Sequence, residues 1–155
     1  MNIEDLKSIM DAFDPASLLP EMESVLHTLT VAVRLAILAG PAVVLVLGLV
    51  FLVFAPKEAN YLLGYRCAFG MGSVEAWQFT QRLAGITWSV LGLVLTVIMF
   101  LLTRKFALLN AYDVVWTGAK YILWEVGLVA ASSLAINAVV MSRFTYDGES
   151  RRSRR

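Results

Sequence analysis

At 155 residues, 59% hydrophobic and 16% charged, the chain departs from soluble domains, which average about 45–50% and about 25%. Its mean hydropathy of +0.71 would demand a core larger than a 17.1 kDa globule encloses; this excludes a soluble enzyme, a disordered protein and a disulfide-stapled secreted domain, and leaves one integral membrane domain over 1–155. The net charge of +1 is polarised, with six acids against Lys7 in residues 1–24 and five arginines against two acids in residues 143–155, a distribution that suits membrane orientation rather than nucleic-acid binding.

In residues 1–13, Ile3, Leu6, Ile9, Met10 and Phe13 recur at helical spacing with acids opposite. The spacing predicts an N-terminal amphipathic helix. Its acidity is a poor match for anionic lipid and suits the outer surface or a partner. Asp14-Pro15 stops that helix, and Pro20 with Glu21 suits the first turn of the next. His27 follows without a companion and reads as a solvated or interfacial residue.

Three apolar runs are long enough to cross a bilayer, which takes about 20 residues. The first, 35–54, lies between Arg34 and Pro56-Lys57-Glu58 and predicts a span over 31–55, kinked at Pro41 because proline lacks an amide hydrogen. The second, 83–102, lies between Arg82 and Arg104-Lys105 and predicts a span over 83–103. Phe106, Leu109, Tyr112 and Trp116 then recur on one face, which predicts a short helix in the interface, followed by an aromatic belt. The third run, 122–141, lies between Lys120 and Arg143 and predicts a span over 121–142, with Arg-rich residues 143–155 as a basic tail. The fold class is all-α.

The first loop and the tail carry eight bases, against five on the N-terminus and second loop. This favours an outside N-terminus and a cytoplasmic C-terminus. No basic n-region or small-residue cleavage site marks a signal peptide. With one cysteine, Cys67, and one histidine, neither a disulfide nor a metal cluster of the usual His/Cys type forms within the chain, and no cofactor is expected.

Gly85, Ser89, Gly92, Thr96, Met99 and Thr103 make a stripe of small residues on the second span. Small residues let helix backbones approach closely in lipid, which predicts internal packing, with a homo-oligomer seam as the alternative. Glu125 shares a face with Tyr121 and Ser132, flanked by Ser133 and Asn137. A carboxylate within a span marks an ion path or a paired site. Four residues inside the run, it also suits a boundary acid that snorkels or forms a salt bridge; as a functional group its partners would be Arg34 or the charges of the interfacial helix.

The loop 57–85 is richer in polar and aromatic residues than a connector needs. Ser73 suits an N-cap and Glu75 a first helical turn, which predicts a helix from about Val74 to Thr103. The glycines of Phe69-Gly70-Met71-Gly72 suit a tight turn without the Gly-Lys-Ser/Thr of a phosphate loop. Arg66 and Arg82 offer bidentate donors for a lipid headgroup, a peptide carboxylate or an internal acid. The alternative is that Asn60, Arg66, Trp77 and Arg82 lock the loop onto the helix ends.

Asn60, Gly64-Tyr65-Arg66, Glu75-Ala76-Trp77, Gln81-Arg82 and Gly85 together resemble the signature of the SdpI/YfhL family, small bacterial membrane proteins named after immunity to a secreted sporulation-delaying toxin. The resemblance covers the loop and the second span. Cys67 stands where the family usually has Thr or Ser, and Gln81 where it often has Asn or His. The resemblance implies a multi-pass, non-enzymatic protein of the bacterial cytoplasmic membrane, acting in toxin immunity or signal transduction. It also implies a ligand or partner site at Asn60, Gly64, Tyr65, Arg66, Trp77, Arg82 and Gly85, and a peptide or protein partner beside the lipid bilayer. Other readings are an accessory subunit of a larger membrane complex, or a small oligomeric transporter built on Glu125, Ser132 and Asn137. An enzyme is disfavoured, because general acid–base work needs converging titratable groups that no spacing here forces.

Overall fold

Among the described residues three long helices make up the fold: α1 over Pro15–Val53, α2 over Val74–Thr103 and α3 over Ala111–Arg143. The computed structural model describes residues 15–60 and 62–151, the side chains of 15–21 apart. The amphipathic helix expected over 1–13 lies outside the described residues. Each helix is long and apolar enough to cross a membrane, over Met22–Val53, Val74–Leu108 and Ala111–Arg143. All three exceed the twenty or so residues a bilayer needs, because polar turns extend each helix beyond the hydrocarbon.

α1 begins at Pro15 rather than near Pro20. Proline suits a first helical position, where its missing N–H would find no partner anyway. The helix runs unbroken across Gly40-Pro41, and the Pro41 ring is fully buried. α2 starts where the capping pattern places it. Ser73 is extended, and its Oγ accepts from the Ala76 amide at 3.1 Å.

α1 and α2 form the closest pair. At Gly48 a Cβ would collide with the backbone of Trp88 and Ser89; at Gly92 it would collide with the backbone of Leu45. At Gly85 a Cβ would stand 2.7 Å from Leu52 Cγ. The small-residue stripe is therefore an internal seam. α3 lies across this pair through one stripe, Val114, Gly118, Glu125, Ile136 and Val140. One apolar cluster joins Ile37, Leu95, Met99, Phe106 and Val114; the other joins Phe51, Ala76, Ala84, Ile136, Val140 and Phe144 at the opposite end. Leu47, Val94, Leu123, Trp124 and Leu134 stay exposed, the outward apolar surface that lipid requires.

Two connections differ from the expected ones. A separate interfacial helix is replaced by a 3-10 turn, Arg104–Leu108, after which α3 starts at Ala111 with Asn110 as its cap. Asn110 Oδ1 accepts from the Asp113 amide at 2.9 Å. Phe106 turns inward and stacks on Tyr121, while Tyr112 and Trp116 are exposed, so the four aromatic and apolar residues do not share a face. The first part of the basic tail is also folded. Thr145 N donates to Glu149 O at 2.9 Å and Gly148 N to Thr145 O at 3.0 Å. With Gly148 at φ 77°, this is a short hairpin closed by the Phe144–Ser150 bridge, a turn ending in a bulge glycine.

Candidate functional site at the loop and hairpin end

The loop between α1 and α2 and the hairpin after α3 meet at one end of the bundle. Ser73 Oγ donates to Gly148 O at 2.8 Å. Gly72 leaves no room for a Cβ against the Tyr146 carbonyl and the Gly148 amide, 2.5 Å from where one would stand. Phe69 and Tyr146 meet edge to face at 6.1 Å. One hydroxyl thus caps α2 and holds the hairpin.

Within the loop, most signature residues bond to one another. Asn60 Oδ1 accepts from the Leu62 and Leu63 amides, both at 2.9 Å, fixing an Asx turn. Gln81 grips Tyr65 from both sides: its Oε1 accepts from Tyr65 N and its Nε2 donates to Tyr65 O, each at 2.7 Å. Trp77 has no exposed surface and donates its ring N–H to Pro56 O at 2.8 Å. Gly64 adopts φ 123°, and a Cβ there would lie 2.8 Å from Gln81 Oε1 and the Trp77 ring; only glycine fits. Gly85 lies in the α1–α2 seam.

Tyr65 carries the loop onto α3. Its hydroxyl lies 3.0 Å from Ser133 O and 2.9 Å from Asn137 Oδ1. Its ring stands edge-on to Trp88 at 5.4 Å. Trp88 in turn donates to Ser132 Oγ at 3.2 Å and packs on Phe51. Trp88, absent from the sequence-level candidates, therefore ties all three helices together. Beside Tyr65, Cys67 is half-buried, and burial pushes its thiol up from the usual range; the amides of Gly70 and Phe69 and the Thr80 hydroxyl oppose part of that rise.

Two hollows flank Arg82. One, of about 550 Å³, is floored by Phe51, Leu52, Ala55 and Pro56 and rimmed by Lys57, Gln78, Gln81 and Arg82. The other, of about 780 Å³, lies between α2, α3 and the hairpin, where Arg82, Arg143 and Arg151 converge with Glu75. Arg143 and Arg151 reach it because the hairpin folds back: Arg143 lies over the Phe79 ring at 4.9 Å, and Arg151 Nε donates to Phe144 O at 3.2 Å. Arg66 is exposed in the loop and lines neither hollow. Chemically, the first hollow suits an amphipathic segment and the second an anion.

Glu125 sits elsewhere, in mid-bundle. It is 6% exposed, its Oε1 has no hydrogen-bond partner, and its Oε2 lies 2.9 Å from where a Gly40 Cβ would stand. Burial against α1 removes the snorkelling expected of a boundary acid. Among the described residues no ion pair joins it to Arg34 or to the bases of 104–120, and no group of three His, Cys, Asp or Glu residues is placed to hold a metal ion.

Comparison with curated proteins and with solved structures finds no match. The SdpI/YfhL protein family, however, matches residues 56–141, more than half of the chain, extending beyond the loop and α2 to take in α3 up to Met141. The Asn60 turn, the Gln81–Tyr65 clamp, buried Trp77 and the Tyr65 bridge to α3 all fall within that match, and the chain belongs to the SdpI/YfhL family.

Proposed function

We propose that this chain is a non-enzymatic protein of the bacterial cytoplasmic membrane that serves toxin immunity or signal transduction by binding a peptide or protein partner. The observation that carries this reading is the hollow beside Arg82. Its apolar floor and basic rim suit an amphipathic, membrane-active segment with an acidic group. Phe54, next in sequence to Ala55 of that floor and 68% exposed, extends the apolar surface around it. The orientation that goes with this reading has the N-terminus outside and the loop and hairpin in the cytoplasm, following their eight bases.

A survival assay tests it directly. The chain is expressed in a host sensitive to a membrane-active peptide toxin, and an affinity-tagged copy is purified in mild detergent. Protection, with a peptide or protein co-purifying and lost in Lys57→Glu, is the expected result. No protection together with no partner would sink the proposal.

Glu125 supports a second reading, a small oligomeric transporter, because a buried carboxyl with an unpartnered oxygen is a feature of ion paths. Three helices enclose a path only as an oligomer. Unchanged proton or cation flux in proteoliposomes carrying Glu125→Gln would dismiss it.

A further inference from the structure

The larger hollow holds a charge imbalance that its own residues do not relieve. Three guanidiniums line it, from Arg82, Arg143 and Arg151, with Glu75 as the single acid. Glu75 and Arg82 are seven residues apart on α2, about 10 Å along the helix axis. Among the described residues neither of them forms an ion pair or hydrogen bond through its side chain. Arg143 spends its face on Phe79, and Arg151 spends only Nε–H on Phe144 O. An arginine offers five N–H donors, so most of those in the hollow stay available. Gln78, Ser142 and Ser150 add neutral polar groups.

Depth identifies the anion. Arg82 is the residue before the apolar run 83–102, and Arg143 follows the apolar run 122–141. Both guanidiniums therefore stand where hydrocarbon gives way to headgroups. The same hollow is walled by Phe79 and Phe144, apolar surface at the level of a lipid's glycerol and upper acyl chain.

We propose that this hollow binds the phosphodiester headgroup of an anionic phospholipid, with Arg82, Arg143 and Arg151 as its donors. The hairpin 144–151, held against Ser73, supplies Phe144, Ser150 and Arg151 to the wall of this hollow, so the lipid also bridges α2 to the hairpin. It is distinct from the amphipathic hollow assigned to a partner above: Arg143 lines the lipid site alone, whereas Arg82 borders both.

The test adds phosphatidylglycerol, phosphatidylcholine or inorganic phosphate to the purified full chain in detergent and measures bound adducts by native mass spectrometry. Wild type is expected to retain phosphatidylglycerol in preference to phosphatidylcholine. Arg82→Gln and Arg143→Gln are each expected to weaken retention about tenfold, the worth of one charge-assisted hydrogen bond. The double variant Arg104→Gln, Lys105→Gln, at the opposite end of the bundle, is expected to leave it unchanged. Because Arg82 makes no side-chain bond within the described chain, its variant keeps the fold, and an unchanged melting temperature verifies that. Equal retention of the two lipids by wild type overturns the proposal. So does retention that survives Arg82→Gln and Arg143→Gln combined, or that falls as far with the distal pair. Inorganic phosphate binding without a lipid preference overturns the lipid assignment. Loss of lipid in Arg143→Gln with toxin protection intact separates this site from the partner site.

Discussion

At the scale of single residues, the loop depends on groups that have one available geometry. Gln81 satisfies both backbone groups of Tyr65 with one amide, which no single donor or acceptor side chain repeats. Gln81→Ala leaves two part-buried backbone groups unpaired, at about 1 kcal/mol each, so thermal unfolding in detergent should show a loss of about 2 kcal/mol. A change within 0.5 kcal/mol would mean that water replaces the clamp. Cys67 gives a pH-dependent prediction. Its thiol is pushed up by burial, so at pH 8 its thiolate fraction falls below that of a free cysteine, and the thiolate is the reacting species. Alkylation by iodoacetamide should therefore be slower than for a cysteine peptide at pH 8, and should climb with pH to a later plateau. Equal rates at pH 8 would contradict the buried placement. The signature residues were legible as a group from their spacing, but their division of labour was not. Asn60 bonds within its own turn, Gly64 packs against the buried Trp77, and Arg82 borders its hollows, because side-chain direction depends on a loop path that spacing alone does not specify.

At the scale of elements, the helices follow from chemistry written locally. Apolar runs bounded by charge locate the spans, and Ser73 locates the start of α2 because a cap needs only its own three neighbours. The stripe from Gly85 to Gly92 locates the seam, since in lipid close backbone approach replaces the hydrophobic drive. Less legible were the turns between helices. Phe106 and Tyr112 have the periodicity of one helix, yet Asn110 restarts the backbone between them and sends them to opposite environments. The seam gives a paired prediction. Gly48→Ala and Gly92→Ala each drive a methyl into facing backbone, and overpacking of this kind costs about 1–3 kcal/mol. Gly127→Ala meets nothing within 4 Å and should gain up to about 1 kcal/mol from helix propensity. Melting temperatures in one detergent should fall for the first two and hold or rise for the third. All three falling alike would indicate a general intolerance of alanine rather than a seam.

At the scale of the whole molecule, the candidate site is assembled from segments that sequence order keeps apart: the loop, the first three turns of α2, the end of α3 and the hairpin. No local spacing announces that Arg82, Arg143 and Arg151 share a hollow. One local signal was available, since Asp147-Gly148 beside Phe144-Thr145-Tyr146 is a strong short-range hairpin pattern; within an arginine-rich terminus it reads as polar tail. The hairpin's contact with Ser73 has a topological consequence. It holds the loop and the C-terminal segment on one side of the membrane, so their bases act as a single block of eight against five on the other side. Positive charge near span ends is retained in the cytoplasm, and the acidic N-terminal segment is the easier end to translocate. A fluorescent protein fused after Arg155 should therefore fluoresce, while alkaline phosphatase at the same place should stay inactive. Moving the fusion to the turn at 104–110 should reverse both readouts. Fluorescence at that turn with none at the C-terminus would invert the topology and transfer the Arg82 hollows to the outer face, where a secreted peptide would reach them without crossing the bilayer.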